Sequence, residues 1–87
     1  MSAYTWKLVR NPCSLDWRYS RNGDDPSIIL SFDGNWQTYC IIDFRKQPVD
    51  YSLKLTVNEV YKWFREKRIK PPPKFEDASD ILKRSLS

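Results

Sequence analysis

The chain has 87 residues, fifteen basic and eleven acidic residues, no histidine and a formal net charge of +4. Its apolar fraction of 40% and charged fraction of 30% are those of one small globular domain rather than a disordered chain. Without histidine the usual general base is missing, and Cys13 and Cys40 have neither an evident activating group nor zinc-ligand spacing. The composition therefore predicts a protein that is not an enzyme, with no catalytic residue, metal site or cofactor.

Hydropathy indicates the compartment. No apolar run approaches the ~20 residues that a membrane-spanning helix needs, and the first residues lack the basic and then apolar pattern of a secretory signal. We therefore expect a cytoplasmic protein that does not enter a membrane. Cys13 and Cys40 are then expected as reduced, small core residues, and a disulfide between them is the alternative that the sequence leaves open.

The first two predicted strands lie near the N-terminus. Residues 4–9 and 15–20 alternate with the period of a half-buried strand, and Asn11-Pro12 separates them. Trp17 and Tyr19 alternate with Arg18, so we expect the two rings to point into the core and Arg18 to point away.

A hairpin is predicted next, because Ser27–Phe32 and Trp36–Phe44 flank the turn sequence Asp33-Gly34-Asn35. A three-residue loop aligns apolar with apolar residues better than a two-residue loop does, since it sets Phe32 opposite Trp36. This register predicts an inner sheet face made of Ile28, Leu30, Phe32, Trp36, Cys40, Ile42 and Phe44.

The main helix is predicted from Thr56 to Lys70, after a short strand at Tyr51–Leu55. Thr56 and Glu59 have the spacing of a capping box, and the prolines at 71–73 cannot continue a helix. An apolar stripe suited to covering a sheet is formed by Val57, Val60, Tyr61 and Phe64.

These elements predict an α+β fold, an antiparallel meander of four to five strands packed against one main helix. Residues 1–70 are expected to form the domain, and residues 71–87 a proline-rich spacer with a short amphipathic helix. A helix this short is unstable alone. It must dock on its own domain, dock on another copy, or stay loose until a partner arrives.

The passage from the strands into the helix, Leu55-Thr56-Val57-Asn58-Glu59, resembles that of the single-stranded DNA-binding coactivator and Whirly class of folds. In that class the strands carry the nucleic acid and the helix mediates dimerisation. The resemblance is confined to this passage, because the glycine- and lysine-rich loop expected before the helix in the coactivator group is missing. The chain is therefore not assigned to this class of folds.

The first functional hypothesis is a protein-binding module, a small regulator or inhibitor of a larger protein assembly, similar in kind to accessory proteins of phages and viruses. An excess of Trp and Tyr favours interface anchors, and the tail helix is suited to filling a groove. A homodimer through the tail or an edge strand is a further possibility. Truncation after Pro73 is then expected to abolish partner binding and to leave the fold intact. The predicted contact residues are Trp63, Arg65, Lys67, Phe75, Ile81 and Leu82.

The second hypothesis is a domain that binds single-stranded DNA or RNA. Most of the net charge lies in residues 56–70, although cations at a helix C-terminus are also favoured by the helix dipole alone. Basic residues that alternate with aromatic ones, as around Arg18, are typical of single-strand binders. The predicted nucleic-acid contacts are Arg18, Arg21, Arg45, Lys62, Arg65, Lys67, Arg68 and Lys70.

Overall fold

The computed structural model describes residues 4–86, with the backbone alone for residues 85 and 86, and confirms the predicted α+β class. The five strands are β1 (Tyr4–Arg10), β2 (Ser14–Arg21), β3 (Ile28–Asp33), β4 (Thr38–Asp43) and β5 (Asp50–Leu55). The helix α1 (Val57–Lys67) follows directly, and a 3₁₀ turn (Phe75–Asp77) leads into α2 (Ala78–Leu86).

The sheet is an open meander with the strand order β1-β2-β3-β4-β5, in which every neighbouring pair is antiparallel. Its inner face packs against residues of α1 and the C-terminal segment. Because each strand pairs with the next along the chain, β1 and β5 are the two edges. The core residues are Leu15, Trp17, Ile28, Leu30, Phe32, Tyr39, Ile41, Val60, Phe64, Phe75, Ala78 and Leu82.

The predicted register of the β3–β4 hairpin was wrong by three residues. Phe32 lies opposite Tyr39, not Trp36, and Leu30 lies opposite Ile41. An odd shift exchanges the faces of a strand, so Ile41 is buried and its neighbour Ile42 is on the other face. Trp36, Cys40, Ile42 and Phe44 were therefore wrongly assigned to the inner face.

The reason for the longer loop is the local turn chemistry. The Asp33 carboxylate accepts hydrogen bonds from the backbone N–H groups of Asn35, at 2.8 Å, and Trp36, at 3.3 Å. Gln37 takes a left-handed backbone conformation, with φ of 55°, and its N–H donates to the Asp33 carbonyl at 2.8 Å. These bonds stabilise a loop of four residues, Gly34 to Gln37, between the strands.

The start of α1 is confirmed and its end is corrected. The Thr56 hydroxyl accepts from the Glu59 N–H at 3.3 Å, and the Glu59 carboxylate accepts from the Thr56 N–H at 2.9 Å. The helix ends at Lys67 rather than Lys70, because Arg68 turns left-handed with φ of 58°. Its N–H donates to the Arg65 carbonyl, and the Ile69 N–H donates to the Phe64 carbonyl, which together form a Schellman motif.

The C-terminal segment docks on its own domain. Phe75, Ala78 and Leu82 are buried in the core, and the Tyr39 hydroxyl donates to the Phe75 carbonyl at 2.7 Å. Burial, followed by the Glu76 and Asp77 charges, raises the pKa of Tyr39 to about 12. Because the segment completes the core, we expect a chain truncated after Pro73 to lose stability, which is the opposite of the expectation from the sequence.

Candidate binding surfaces

The residues predicted to contact a protein partner do not form one exposed surface. Phe75 and Leu82 are core residues. Trp63 is half-buried, with its ring against Phe64 and the Lys67 ammonium 5.6 Å from its centroid. Of the remaining two, Arg65 is exposed and Ile81 packs partly against the core.

The residues predicted to contact nucleic acid are divided by the sheet. Trp17 is buried on the inner face and Tyr19 packs partly against the same core, so Arg18 between them lies on the opposite face. The exposed side chains of α1 and its end, Lys62, Arg65 and Arg68, are on the helical side. The other four, Arg21, Arg45, Lys67 and Lys70, lie around one end of the helix-covered face.

The first candidate surface is the sheet face opposite the core, which we call the uncovered face. Arg18, Ile29, Ile42 and Tyr51 are register partners and form one row across β2, β3, β4 and β5. Within residues 4–86 neither helix packs on this face, because the buried side chains of α1 and α2 belong to the core on the other side.

A groove of about 500 Å³ lies at one end of the uncovered face, lined by Trp36, Cys40, Leu53 and Lys54 together with neighbouring strand residues. Trp36 and Leu53 are 78% and 64% exposed, and Tyr51 on the same strand as Leu53 is 59% exposed. Sequence reasoning missed this surface because the wrong register placed Trp36 in the core.

The cysteines do not supply a reactive group at this groove. Both thiols are free, as expected, but Cys13 is exposed and Cys40 half-buried, so neither is the core residue that was predicted. Burial raises the pKa of the Cys40 thiol, and the Asp16 and Asp33 charges add to that effect against an opposing hydrogen bond with Ser31. A raised pKa keeps the sulfur protonated and weakly nucleophilic.

The second candidate surface lies on the helical side, and we call it the aromatic groove. It is a cleft of about 400 Å³ between the rings of Tyr4, Trp6 and Tyr19 on β1 and β2 and the segment from Lys70 to Pro73. The Tyr4 and Tyr19 rings stack with centroids 5.0 Å apart, and the ring centroids of Trp6 and Tyr19 are 4.6 Å apart. The Trp6 indole N–H donates to the Lys70 carbonyl at 2.9 Å, which holds the two walls together.

Basic side chains lie at and beside the aromatic groove, and one of them, Lys70, lines it. Arg21 is the register partner of Tyr4. Arg45 binds Asp43 through two hydrogen bonds of 2.9 and 3.0 Å. The bond to Asp43 is the main cause that raises the pKa of Arg45, and the nearby Tyr19 and Tyr4 side chains contribute to the same effect. The hydrogen bond from Arg45 holds the pKa of buried Asp43 below its usual range, and the charge of Lys67 contributes to the same effect.

Comparisons with known proteins add no assignment: no family model, no curated protein and no solved structure matches the chain. Across residues 4–86 no helix has the length and apolar content to cross a membrane. The same stretch holds no group of three or more His, Cys, Asp or Glu side chains placed to bind a metal ion.

Proposed function

We propose that the protein is a small non-enzymatic protein-binding module of the cytoplasm, which regulates or inhibits a larger protein assembly through the uncovered face. The observation that carries the proposal is the exposure of Trp36, Tyr51 and Leu53 beside the groove of that face. Large apolar side chains gathered on one surface are typical of interaction sites.

The chemistry of this surface suits a protein partner. Interface cores are enriched in Trp and Tyr, and such residues carry much of the binding energy when a partner removes water from them. Trp36 and Leu53 line the groove and offer an apolar pocket, while Lys54 adds a positive charge beside it. In the row formed by Arg18, Ile29, Ile42 and Tyr51, Arg18 is the basic residue. The other three side chains of the row can make apolar contacts with a partner.

The form of the contact follows from the position of β5. Among residues 4–86 no strand pairs with the outer side of β5, so its outward backbone groups can pair with an extended segment. Strand addition of this kind draws affinity from the backbone and specificity from pockets for alternate side chains. The partner element we propose is therefore an extended strand that places an apolar side chain between Trp36 and Leu53.

The experiment is site-specific photocrosslinking in the native cells, with benzoylphenylalanine in place of Leu53. We expect a discrete adduct with another protein, and we expect Trp36→Ser in the same chain to abolish it. The control places the photoreactive residue at Lys62, which is exposed on α1 at the helical side. Both substitutions at the uncovered face are expected to change the free energy of unfolding by no more than about 0.5 kcal/mol.

The pattern of adducts decides the proposal. An adduct from position 53 that requires Trp36 supports it. Adducts from position 62 alone, or none from position 53, would show that the uncovered face is not the partner site. An adduct of twice the chain mass would identify a second copy as the occupant and would replace regulation of another assembly by self-association.

A further inference from the structure

The geometry points to a second function that is independent of the uncovered face: the aromatic groove binds single-stranded nucleic acid. A base stacks on Tyr4, and the neighbouring phosphates lie against Lys70, Arg21 and Arg45.

Stacking is the first requirement, and the groove meets it. Tyr4 is 45% exposed, and one side of its ring is covered by Tyr19 at an interplanar angle of 19°. A flat platform supported from behind can accept a base without rearrangement. Base stacking on an aromatic ring is tolerant of sequence, because every base presents a flat π-face.

Charge is the second requirement. Lys70 lines the groove and is exposed, and Arg21 lies beside Tyr4 across the β1–β2 pair. Arg45 is fixed by its two bonds to Asp43, and its side chain remains 44% exposed. Lys67 adds a fourth positive charge that acts on the same Asp43 carboxylate. Cations placed around aromatic rings complement a strand of alternating phosphates and bases better than they complement an apolar protein surface.

The aromatic groove contains only some of the nucleic-acid contacts that the sequence predicted. Of the eight predicted residues, Lys70 lines the groove and Arg21 and Arg45 lie beside its rings, so these contacts come from β2, the turn after β4 and the proline-rich segment. The helix alone does not form the site. The rings of Tyr4 and Trp6 were not among the predicted contacts, although alternation along β1 already placed both on one face. The structure adds Tyr19, which lies opposite Trp6 across the strand pair.

The test is a fluorescence-anisotropy titration of labelled oligo(dT) and oligo(U), each of about 12 nucleotides, at low salt and at about 150 mM salt. We expect binding that weakens steeply with salt, because phosphate contacts release counterions. Tyr4→Ala is expected to weaken binding roughly tenfold through lost stacking. Lys70→Glu is expected to weaken it by about tenfold or more and to lower the salt dependence.

The matched control is Arg18→Glu, the same charge reversal at an exposed position on the opposite face of the sheet. We expect Arg18→Glu and Trp36→Ser to leave oligonucleotide affinity within about twofold of the unchanged chain. Lys70→Glu is expected to preserve the fold, because the bond to Trp6 uses the Lys70 backbone carbonyl. Circular dichroism and thermal melting check this for each variant.

Three results would overturn the inference. One is no binding of either oligonucleotide at low salt. The second is an equal loss of affinity in Arg18→Glu and Lys70→Glu, which would identify a diffuse attraction between a basic protein and a polyanion. The third is full affinity in Tyr4→Ala, which would show that no base stacks in the groove.

Discussion

Arg68 holds a backbone conformation that suits glycine better than arginine. Its φ of 58° and ψ of 40° lie in the left-handed region, where a Cβ atom is crowded by the backbone. The hydrogen bonds of Arg68 and Ile69 to the last turn of α1 depend on this conformation. The hydrogen bonds that end the helix are therefore formed at a cost in local backbone strain.

We predict that Arg68→Gly raises the free energy of unfolding by about 0.5–1 kcal/mol, since glycine removes the crowding and keeps the Schellman bonds. The measurement is the urea midpoint at neutral pH. Arg68→Ala is the matched control, because it removes the same charge but retains the Cβ. An equal gain in both variants would show that charge, rather than backbone conformation, limits stability at this position.

Asp43 and Arg45 link stability to pH. The pKa of Asp43 is lowered in the folded chain, mainly by the hydrogen bond from Arg45. A lowered pKa contributes stability that is present above the ordinary pKa of an unfolded Asp, about 3.9, and is lost as the pH falls through the folded value. The carboxylate is 1% exposed, whereas the Arg45 side chain is 44% exposed, so solvent screens part of the attraction.

We predict that Asp43→Asn lowers the free energy of unfolding at pH 7 by about 1–3 kcal/mol, because a buried charge-assisted pair is broken. Below pH ~4 the gap between the variant and the unchanged chain is expected to narrow. Urea midpoints from pH 7 down to about pH 2.5 measure both effects. A gap that stays constant over this range would show that the Asp43 charge does not stabilise the fold.

At the scale of elements, local signals in the sequence were sufficient for the strands and for the start of α1. Period-2 alternation located the first two strands, and the Thr56 to Glu59 spacing produced the predicted capping box. The end of α1 was placed three residues too late, because the sequence showed only where proline forbids a helix. The left-handed turn at Arg68 lacks the glycine that usually marks it.

The β3–β4 register shows why alternation alone was insufficient. Residues 38–44 are apolar on both faces of β4, so pairing by apolar match does not distinguish Ile41 from Ile42 as the inward residue. The side-chain and backbone bonds of Asp33 decide the loop length. The consequence reaches the candidate site, since the register error moved Trp36 from the surface into the predicted core.

The C-terminal segment gives an element-scale prediction opposite to the one from the sequence. We predict that truncation after Pro73 unfolds much of the domain, because it removes Phe75 and Leu82 from the core and leaves the buried Tyr39 hydroxyl without its acceptor. The combined loss is expected to exceed about 4 kcal/mol, a large share of the stability of a small domain. Dispersion of the amide resonances in an NMR spectrum measures the outcome.

A single substitution distinguishes the loss of core packing by this segment from the effect of shortening the chain. Leu82→Ala is expected to cost about 2–4 kcal/mol, whereas Asp80→Ala at an exposed position of α2 is expected to change stability by less than about 0.5 kcal/mol. A truncated chain with a native spectrum would show that the sheet and α1 suffice for the fold.

For the whole molecule, the fold separates two surfaces of different chemistry. The uncovered face exposes Trp36, Tyr51 and Leu53. The aromatic groove on the helical side is lined by Lys70, and Arg21 and Arg45 lie near its rings. The net charge of +4 indicated an anionic partner, and the excess of aromatic residues indicated a binding surface. Neither quantity showed that the two features belong to opposite sides of one sheet, because that division depends on strand register.

Because the two surfaces lie on opposite sides of the sheet, a substitution on one surface is expected to leave binding at the other unchanged. If both proposals hold, Trp36→Ser removes the protein adduct and keeps oligonucleotide affinity, and Lys70→Glu does the reverse. The protein would then join a protein assembly to a nucleic-acid strand through opposite faces of a domain whose Cα radius of gyration is 12.7 Å.

The meander also dictates an order of events during synthesis. Every strand pairs with its predecessor, so each hairpin can close as soon as its second strand leaves the ribosome. The segment from Phe75 to Leu82 is made after all five strands and α1, yet it supplies three core residues. Until it arrives, the part of the inner face that it covers remains open to water and to neighbouring chains. We therefore expect a stage of synthesis in which both faces of the sheet expose apolar side chains, and in the finished fold the C-terminal segment covers only the inner face.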